Sequence, residues 1–471
     1  MDLITTKIRR AFPEKMADLL RFSGRLAVEM GYTAFAVGGF IRDLLLGVQN
    51  LDVDMVIEGN AIEYAKRLSK ELCGVYVYHK RFGTATVFIP SLGRIDIAMT
   101  RTEIYERPAA LPTVRLGPIE NDLYRRDFTI NAMAFSLDRR HFGELLDPFN
   151  GRKDLKEGII RALHDLSFVD DPTRIFRAVR FEQRFDFRIE PHTENLIKKA
   201  VGLKMVDRTQ KQRIREELIS ILSEDRPLKA VRRLSELNEL RFIDPDLKLK
   251  NSTVSLFNSA DEALAWYDNT HISRRHALEC WLIYLAVLID DLSPAKIKKI
   301  CGDFVFKKAD AAKLVSYKKN EKRISAVLSK KGKLKPSQVY EHLEGFPYEV
   351  MIMFMAKTRS QTARRRIMSY ITKYAHVKLD LRGDDLKKAG MEPGPHFKEI
   401  IRRTLHAKLD GRVKTKNEEL GFAVKTRRYH NGNKAGTHRK RDEGYNFGDN
   451  QRGDKGSPDR LRHGNEGRGD A

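Results

Sequence analysis

AVGGFIRDLLLGVQNLDVDMVIEG, residues 36–59, is the stretch on which the rest of the chain turns. It opens as a strand, breaks at Gly38–Gly39 and continues as IRDLLLG, which has helical spacing. A backbone without Cβ approaches a phosphate closely, and the helix that follows turns free N–H groups toward it. Arg42 lies one turn into that helix and reaches the same anion. Ten and twelve residues later stand Asp52 and Asp54, on the β-rich run DVDMVI (52–57). Residues two apart on a strand face the same side, so both carboxylates converge on one point. Hard Mg²⁺ ions take oxygen ligands, and a two-metal site activates an attacking hydroxyl while steadying a leaving pyrophosphate. A glycine pair alone is often a simple turn, and an isolated Asp-x-Asp is often a solvated strand face. Together with Arg42 they point to a metal-dependent nucleotide site.

Working outward, AFAV (34–37), VYVYH (75–79), TATVFI (84–89) and RIDIAM (94–99) also read as short strands, with AIEYAKRLSKEL as a helix between them. The spacing predicts an N-terminal helix within 1–30 and an α+β or α/β catalytic head over 31–160. Asp96, in RIDIAM, is a candidate third carboxylate that accepts the proton of an attacking hydroxyl, or else a surface acid. Beyond about residue 170 strand signals nearly vanish, and TRIFRAVRFEQRF, TQKQRIREELISILS and SRRHALECWLIYLAVLI show helical periodicity. A helical neck is expected over 161–245 and a helical body and tail over 246–425. From 426 to 471 Arg, Lys, Gly, Asn, His and Asp dominate, too polar to offset chain entropy, so a disordered basic tail is expected.

Charge is the outlying feature of the composition. Lys and Arg number 88 against 64 Asp and Glu, a formal +24, while 41% of residues are hydrophobic. Such a globular, basic chain suits a polyanionic partner. The longest apolar run, WLIYLAVLI (281–289), is far shorter than the roughly 20 residues that span a bilayer, so no membrane association is expected. The N-terminus shows no apolar secretion core, and three scattered cysteines form neither a disulfide framework nor a zinc cluster. A cytoplasmic protein is the expectation. His164–Asp165 has no second histidine cluster at useful spacing and is set aside as a metal site.

GGFIRDLLLG followed by LDVDMV resembles the signature of the class II tRNA nucleotidyltransferase and poly(A) polymerase family, within the polymerase β superfamily. Three further segments are similar to that family in order: DLYRRDFTINAMAF (122–135), LLDPFNGRKDLKEGIIRAL (145–163) and DDPTRIFRAVRFEQRFDFRIE (170–190). The resemblance implies a polymerase β-like head with a mixed sheet, followed by an all-helical neck, body and tail. It makes Asp52 and Asp54 the Mg²⁺ ligands, and Gly39 and Arg42 the triphosphate contacts, with Gly38 of the same turn a further nucleotide-binding candidate. Arg125, Arg126 and Asp127 would help bind the incoming nucleotide, while Asn131 would hold the backbone of the site.

Asp171 precedes Pro172, which alone reads as a helix start. Arg174, Arg177 and Arg180 then follow at spacings of three, a cationic ridge on one helix face. The resemblance implies that they meet a nucleotide. A carboxylate accepts from an exocyclic amine and a guanidinium donates to a ring acceptor. Asp171 with Arg174 would thus admit ATP or CTP and reject UTP and GTP without a template. Arg177 and Arg180 would face base, ribose or phosphates. Where the family motif begins Glu-Asp, this chain has Asp170–Asp171; that stretch and IYERPAALPTVRLGPIENDLYRRD (104–127) resemble the A-adding branch, though side-chain logic does not separate ATP from CTP.

Basic stretches KAVRRL (229–234), TARRRIM (362–368) and KEIIRRTLHAKLD (398–410) could track RNA phosphates or form solvated helix faces. LRGDDLKKAGMEPGPHFKEII (381–401) resembles the family's tail segment. The expected activity is transfer of AMP from ATP to the 3′-OH of tRNA. Alternatives are full CCA addition using CTP and ATP, a poly(A) polymerase, and a noncatalytic RNA-binding protein.

Overall fold

A computed structural model describes residues 14–48, 52–90 and 93–436. The head runs α1 (Glu14–Glu29), β1 (Thr33–Val37), α2 (Gly39–Leu46), β2 (Val53–Glu58), α3 (Ala61–Glu71), β3 (Val75–His79), β4 (Thr84–Ile89) and β5 (Gly93–Met99). Then come β6 (Arg101–Ile104), β7 (Thr113–Leu116), α4 (Ile119–Tyr124), β8 (Ala134–Ser136) and β9 (Leu145–Leu146). Seven strands form one sheet in the order β3-β4-β5-β2-β1-β8-β9, while β6 and β7 pair as a separate hairpin. Only β2 and β5 run parallel within the large sheet; its other neighbours are antiparallel.

Strict alternation divides that sheet into two faces. Val53, Met55 and Ile57 of β2, Ile95 and Ile97 of β5, and Ala85 and Val87 of β4 are buried on one face, which α3 covers. At the start of α3 the Asn60 side chain accepts from the Glu63 amide, a cap that fixes the helix entry. Asp54 and Asp96 point to the opposite face. Parallel pairing sets these two residues directly side by side.

The helical part begins with α5 (Gly151–Glu157), then β10 (Ile159–Ile160), α6 (Ser167–Asp170), α7 (Thr173–Phe185), β11 (Arg188–Ile189), α8 (Pro191–Gly202), α9 (Lys211–Leu222) and α10 (Pro227–Glu236). The two-residue strands β10 and β11 pair in parallel. Helix α7 buries Ile175, Phe176, Ala178, Val179 and Phe181, each of the larger ones worth about 1.5–3 kcal/mol on burial. Phe181 meets Phe128 edge-on at 6.0 Å, and Phe176 meets Phe242 at 4.9 Å. These contacts pin α7 against the head on one side and the following helices on the other.

Between residues 251 and 372 the chain is helical. The apolar run noted in the sequence is Cys280–Leu288, a helix buried all round, as a core helix is. Among the described residues no helix is long and apolar enough to cross a membrane. Among the described residues, those up to 334 together with 338–375 cluster as one compact unit, and 335–337 with 376–436 as a second. The second has its own core of Leu381, Leu386, Met391, Ile400 and Ala423. Its last helix is Lys416–Gly436, so the segment expected to be a tail is helical at its start. Residues 437–471 lie outside the described residues.

Candidate active site

Gly38 holds φ 70 and ψ −136 at the cap of α2, a backbone state open to glycine. A Cβ at this position would lie 2.8 Å from Arg126 Nη1 and 3.9 Å from Asp54 Oδ2. The glycine turn, the Asp54 carboxylate and the Arg126 guanidinium therefore share one corner. Burial pushes the Asp54 carboxyl up to about 6; Arg126 opposes the rise, and the charges of Asp96 and Asp52 add to it. Asp52 lies one residue ahead of β2 and is exposed. Asp96 accepts from Thr86 Oγ1 at 2.7 Å and from Arg94 Nε at 2.9 Å.

Around this corner opens a cleft of about 800 Å³. Twelve of the fourteen residues expected from the sequence line it: Gly38, Gly39, Arg42, Asp54, Arg125, Arg126, Asp127, Asn131, Asp171, Arg174, Arg177 and Arg180. Asp52 and Asp96 stand beside Asp54 without lining it.

The cleft's polar groups are tied together from wall to wall. Arg42 is buried and stacks over the Phe181 and Phe185 rings at 5.1 and 4.8 Å. Its Nη1 donates to Asn131 Oδ1 at 2.7 Å and its Nε to Asp43 Oδ1 at 2.9 Å. Asn131 Nδ2 donates to Asp127 Oδ1 at 3.0 Å. Arg177 Nε donates to Asp127 Oδ2 at 2.8 Å and pairs with Glu217 at 3.5 Å. Burial alone would raise the Asp127 carboxyl, but Arg177 and the Asn131 bond outweigh it and hold Asp127 at about 2. Arg180 lies 3.9 Å from Glu217.

Arg174, read from the sequence as part of a cationic ridge, is buried. It donates to Ser167 Oγ and to the Arg125 carbonyl, both at 2.6 Å. Asp171 accepts from the Thr173 amide and hydroxyl at 3.1 and 2.6 Å, and from Arg213 Nη2 at 2.7 Å. It does cap α7, and it also faces the cleft.

Several residues that line the cleft or support its walls were not singled out by motif. Asp122 is fully buried beneath Arg125 and Arg126, accepting from them at 2.7 and 2.9 Å. Glu103 accepts from Arg101, Arg125 and Tyr105. Arg213 and Glu217 come from α9, more than thirty residues after Arg180. Asp122 was present in DLYRRD, where an acid three and four residues before two arginines is the i,i+3/i,i+4 signal for a supporting pair. The α9 residues carried no comparable signal.

Of the basic stretches, Arg233 is spent on Glu182 and Glu194 at 3.1 and 3.0 Å. Arg366 donates to main-chain carbonyls at Leu328, Lys330 and Gly332, and Arg364 pairs with Glu262. These three arginines hold the fold.

Among the described residues no group of three or more His, Cys, Asp or Glu is placed to hold a metal ion. Asp54, beside the glycine turn and with Asp52 close enough for its charge to act on it, nevertheless fits Mg²⁺, which is commonly held by one or two carboxylates with water and substrate phosphates completing its shell.

Residues 34–161 match the family described as "Poly A polymerase head domain", and residues 186–250 the one described as "Probable RNA and SrmB- binding site of polymerase A". The chain is 39% identical to an A-adding tRNA nucleotidyltransferase of Geobacter sulfurreducens over 89% of its own length and 48% of the relative's, so it spans about half of that protein. It is 32% identical to the A-adding tRNA nucleotidyltransferase of Halalkalibacterium halodurans, covering 86% of this chain and 91% of the relative. A solved Thermotoga maritima CCA-adding enzyme complexed with tRNA CCA superposes with a TM-score of 0.68 at 34% identity, covering 90% of this chain and 98% of that one. With the head fold, the glycine cradle and the paired carboxylates already in place, this similarity along nearly the whole length means that the chain belongs to the family of tRNA nucleotidyltransferases and poly(A) polymerases.

Proposed function

We propose that the chain is a template-independent nucleotidyltransferase that adds AMP from ATP to the 3′-OH of tRNA ending in CC, releasing pyrophosphate. The observation that carries this is the joining, in one cleft, of the Gly38–Gly39 cradle beside Asp54 with Asp171 and the α7 arginines. The first end suits a triphosphate and the second a base edge.

Asp52 and Asp54 would hold Mg²⁺, which when bound supplies a Lewis acid for phosphoryl oxygens. The chain's own groups do the rest. The Gly38–Gly39 turn and the positive end of α2, with Arg126 beside them, draw the triphosphate into the corner. Arg42, fixed by Asn131 and Asp43, adds positive charge there without having to reorganise. Asp96 stands next to Asp54, where it can take the proton of the attacking hydroxyl. Asp171 accepts from the exocyclic amine of adenine, and Arg174 donates to its ring acceptor. Preference for ATP alone is supported by the A-adding relatives.

Full CCA addition is the second reading, favoured by the likeness to the Thermotoga CCA-adding enzyme. Transcripts ending in the discriminator base, C or CC, incubated with ATP or CTP, test both. AMP added to the CC transcript alone supports the first reading. CMP incorporation overturns it in favour of the second, and long adenosine tracts point to a poly(A) polymerase.

A further inference from the structure

Asp171 is the carboxylate on which base choice would depend, and its surroundings leave it little freedom. An ionised carboxylate offers about four acceptor directions. Thr173 fills two on Oδ1, through its amide at 3.1 Å and its hydroxyl at 2.6 Å. Arg213 Nη2 fills a third, on Oδ2, at 2.7 Å. One direction on Oδ2 remains, and both Asp171 and Arg213 line the cleft.

We infer that Arg213 is a positioning residue for base selection, setting Asp171 so that it presents one acceptor site to the incoming base. This inference rests on the proposed reading of the cleft as a nucleotide site. Its logic is exclusion. A single open lone pair, flanked by a cation and a capped helix start, accepts one amine hydrogen from adenine and offers nothing to a carbonyl. Take the guanidinium away and Oδ2 has a second vacant direction, which water fills. A water held there accepts nothing from the carboxylate but donates to it, and its other O–H is free to donate to a carbonyl of uracil or guanine. The wrong bases then gain a bridge that the intact site denies them. Arg174 does not substitute for Arg213: its bonds to Ser167 and to the Arg125 carbonyl hold it in place on the other side, and it is Arg213 that is bonded to Asp171. Arg213 itself is half-buried on the first turn of α9, so its stem is held while its end reaches across to Asp171.

The test is single-nucleotide incorporation by the full chain into a tRNA transcript ending in CC, with ATP, GTP and UTP supplied separately. It compares wild type with R213M, R213K and D171A. For R213M the ratio of kcat/KM for ATP over that for GTP or UTP should fall by about 30-fold or more. Melting should stay near that of wild type. R213K, which restores a cation and a donor, should recover the ratio to within about threefold. A general loss of folding lowers activity with every nucleotide and leaves the ratio alone. If D171A loses selectivity while R213M keeps it, the role of Arg213 is overturned. If D171A keeps it too, the base-reading assignment of the cleft itself falls.

Discussion

The Arg126 guanidinium occupies the space that a side chain on Gly38 would need, its Nη1 lying 2.8 Å from where a Cβ would be. Arg126 cannot simply swing aside, because its Nη2 is bonded to buried Asp122 at 2.9 Å. Gly38→Ala therefore combines a left-handed backbone strain of about 1 kcal/mol with displacement of the cation beside the glycine turn. A 1 Å misplacement at a reacting centre can cost about 100-fold, so kcat/KM for ATP should fall roughly 10- to 100-fold with only a small drop in melting temperature. Steady-state kinetics decide it; a value within twofold of wild type would show that the cradle is not used.

Replacing Asp52 and Asp54 together by Ala should remove transfer while sparing the acceptor's grip. Losing the groups that stabilise charge at the reacting phosphate should cost on the order of 1,000-fold or more. RNA affinity, measured by gel retardation, should stay within a few-fold, because it arises from basic surface spread over the chain. Undiminished transfer would show that the reaction proceeds elsewhere.

Asp127 is buried between Arg177 and Asn131, and removing one partner from a buried ion pair costs about 3–5 kcal/mol. Asp127→Asn should lower the free energy of unfolding by about 3 kcal/mol, read from the shift of the denaturation midpoint, since the amide oxygen still accepts. The pH dependence has a definite sign. Arg177 and Asn131 depress the carboxyl to about 2 against a burial effect in the other direction. Its contribution is therefore present above the unfolded value near 3.8 and is lost as pH falls from there through about 2. The gap between wild type and variant should be flat from pH 5 to 8 and narrow only below about 4. A gap that changes near neutrality would contradict the pairing.

Glu239 offers the opposite case. It is 1% exposed, and neither carboxylate oxygen has a hydrogen-bond partner among the described residues. Burial raises it to about 7, with Asp207 adding to the rise and Arg241 opposing it. A raised carboxyl favours the fold fully below its unfolded value near 4.5, and that advantage drains away as pH climbs through about 7. Glu239→Gln should thus be nearly neutral at pH 4.5 and stabilising by about 2–3 kcal/mol above pH 7.5. Thermal melts of both proteins across that range provide the check, and equal pH profiles would refute it.

The head was the most legible part of the chain. AFAV, VYVYH, TATVFI and RIDIAM each became a strand within a residue or so of the expected limits, because alternation against one covered face writes itself into composition. The β6–β7 hairpin escaped notice, since IYERPAALPTVRL has two prolines between strands of four residues each. Strands β8 and β9 are shorter still; they pair with each other, and the place of β8 in the sheet is decided by β1, about a hundred residues earlier. The cleft residues were legible where they fell in local motifs, as with the arginines of α7. Their bonding was not. That Arg174 turns inward to the Arg125 carbonyl, or that Arg213 reaches Asp171 from another helix, depends on how α7 and α9 pack on the head, and spacing along one segment does not encode it.

The bond from Arg174 to the carbonyl of Arg125 has a geometric corollary. Arg125 precedes Arg126, which stands at the glycine corner, and Arg174 belongs to the helix that begins beside Asp171. A single guanidinium thus works like the fixed jaw of a caliper, holding one end of the cleft at a set span from the other. If the cleft takes a nucleotide as proposed, a molecule gripped at both ends would be measured as well as recognised, and one with the wrong length between its charged end and its ring would fail before any edge is read.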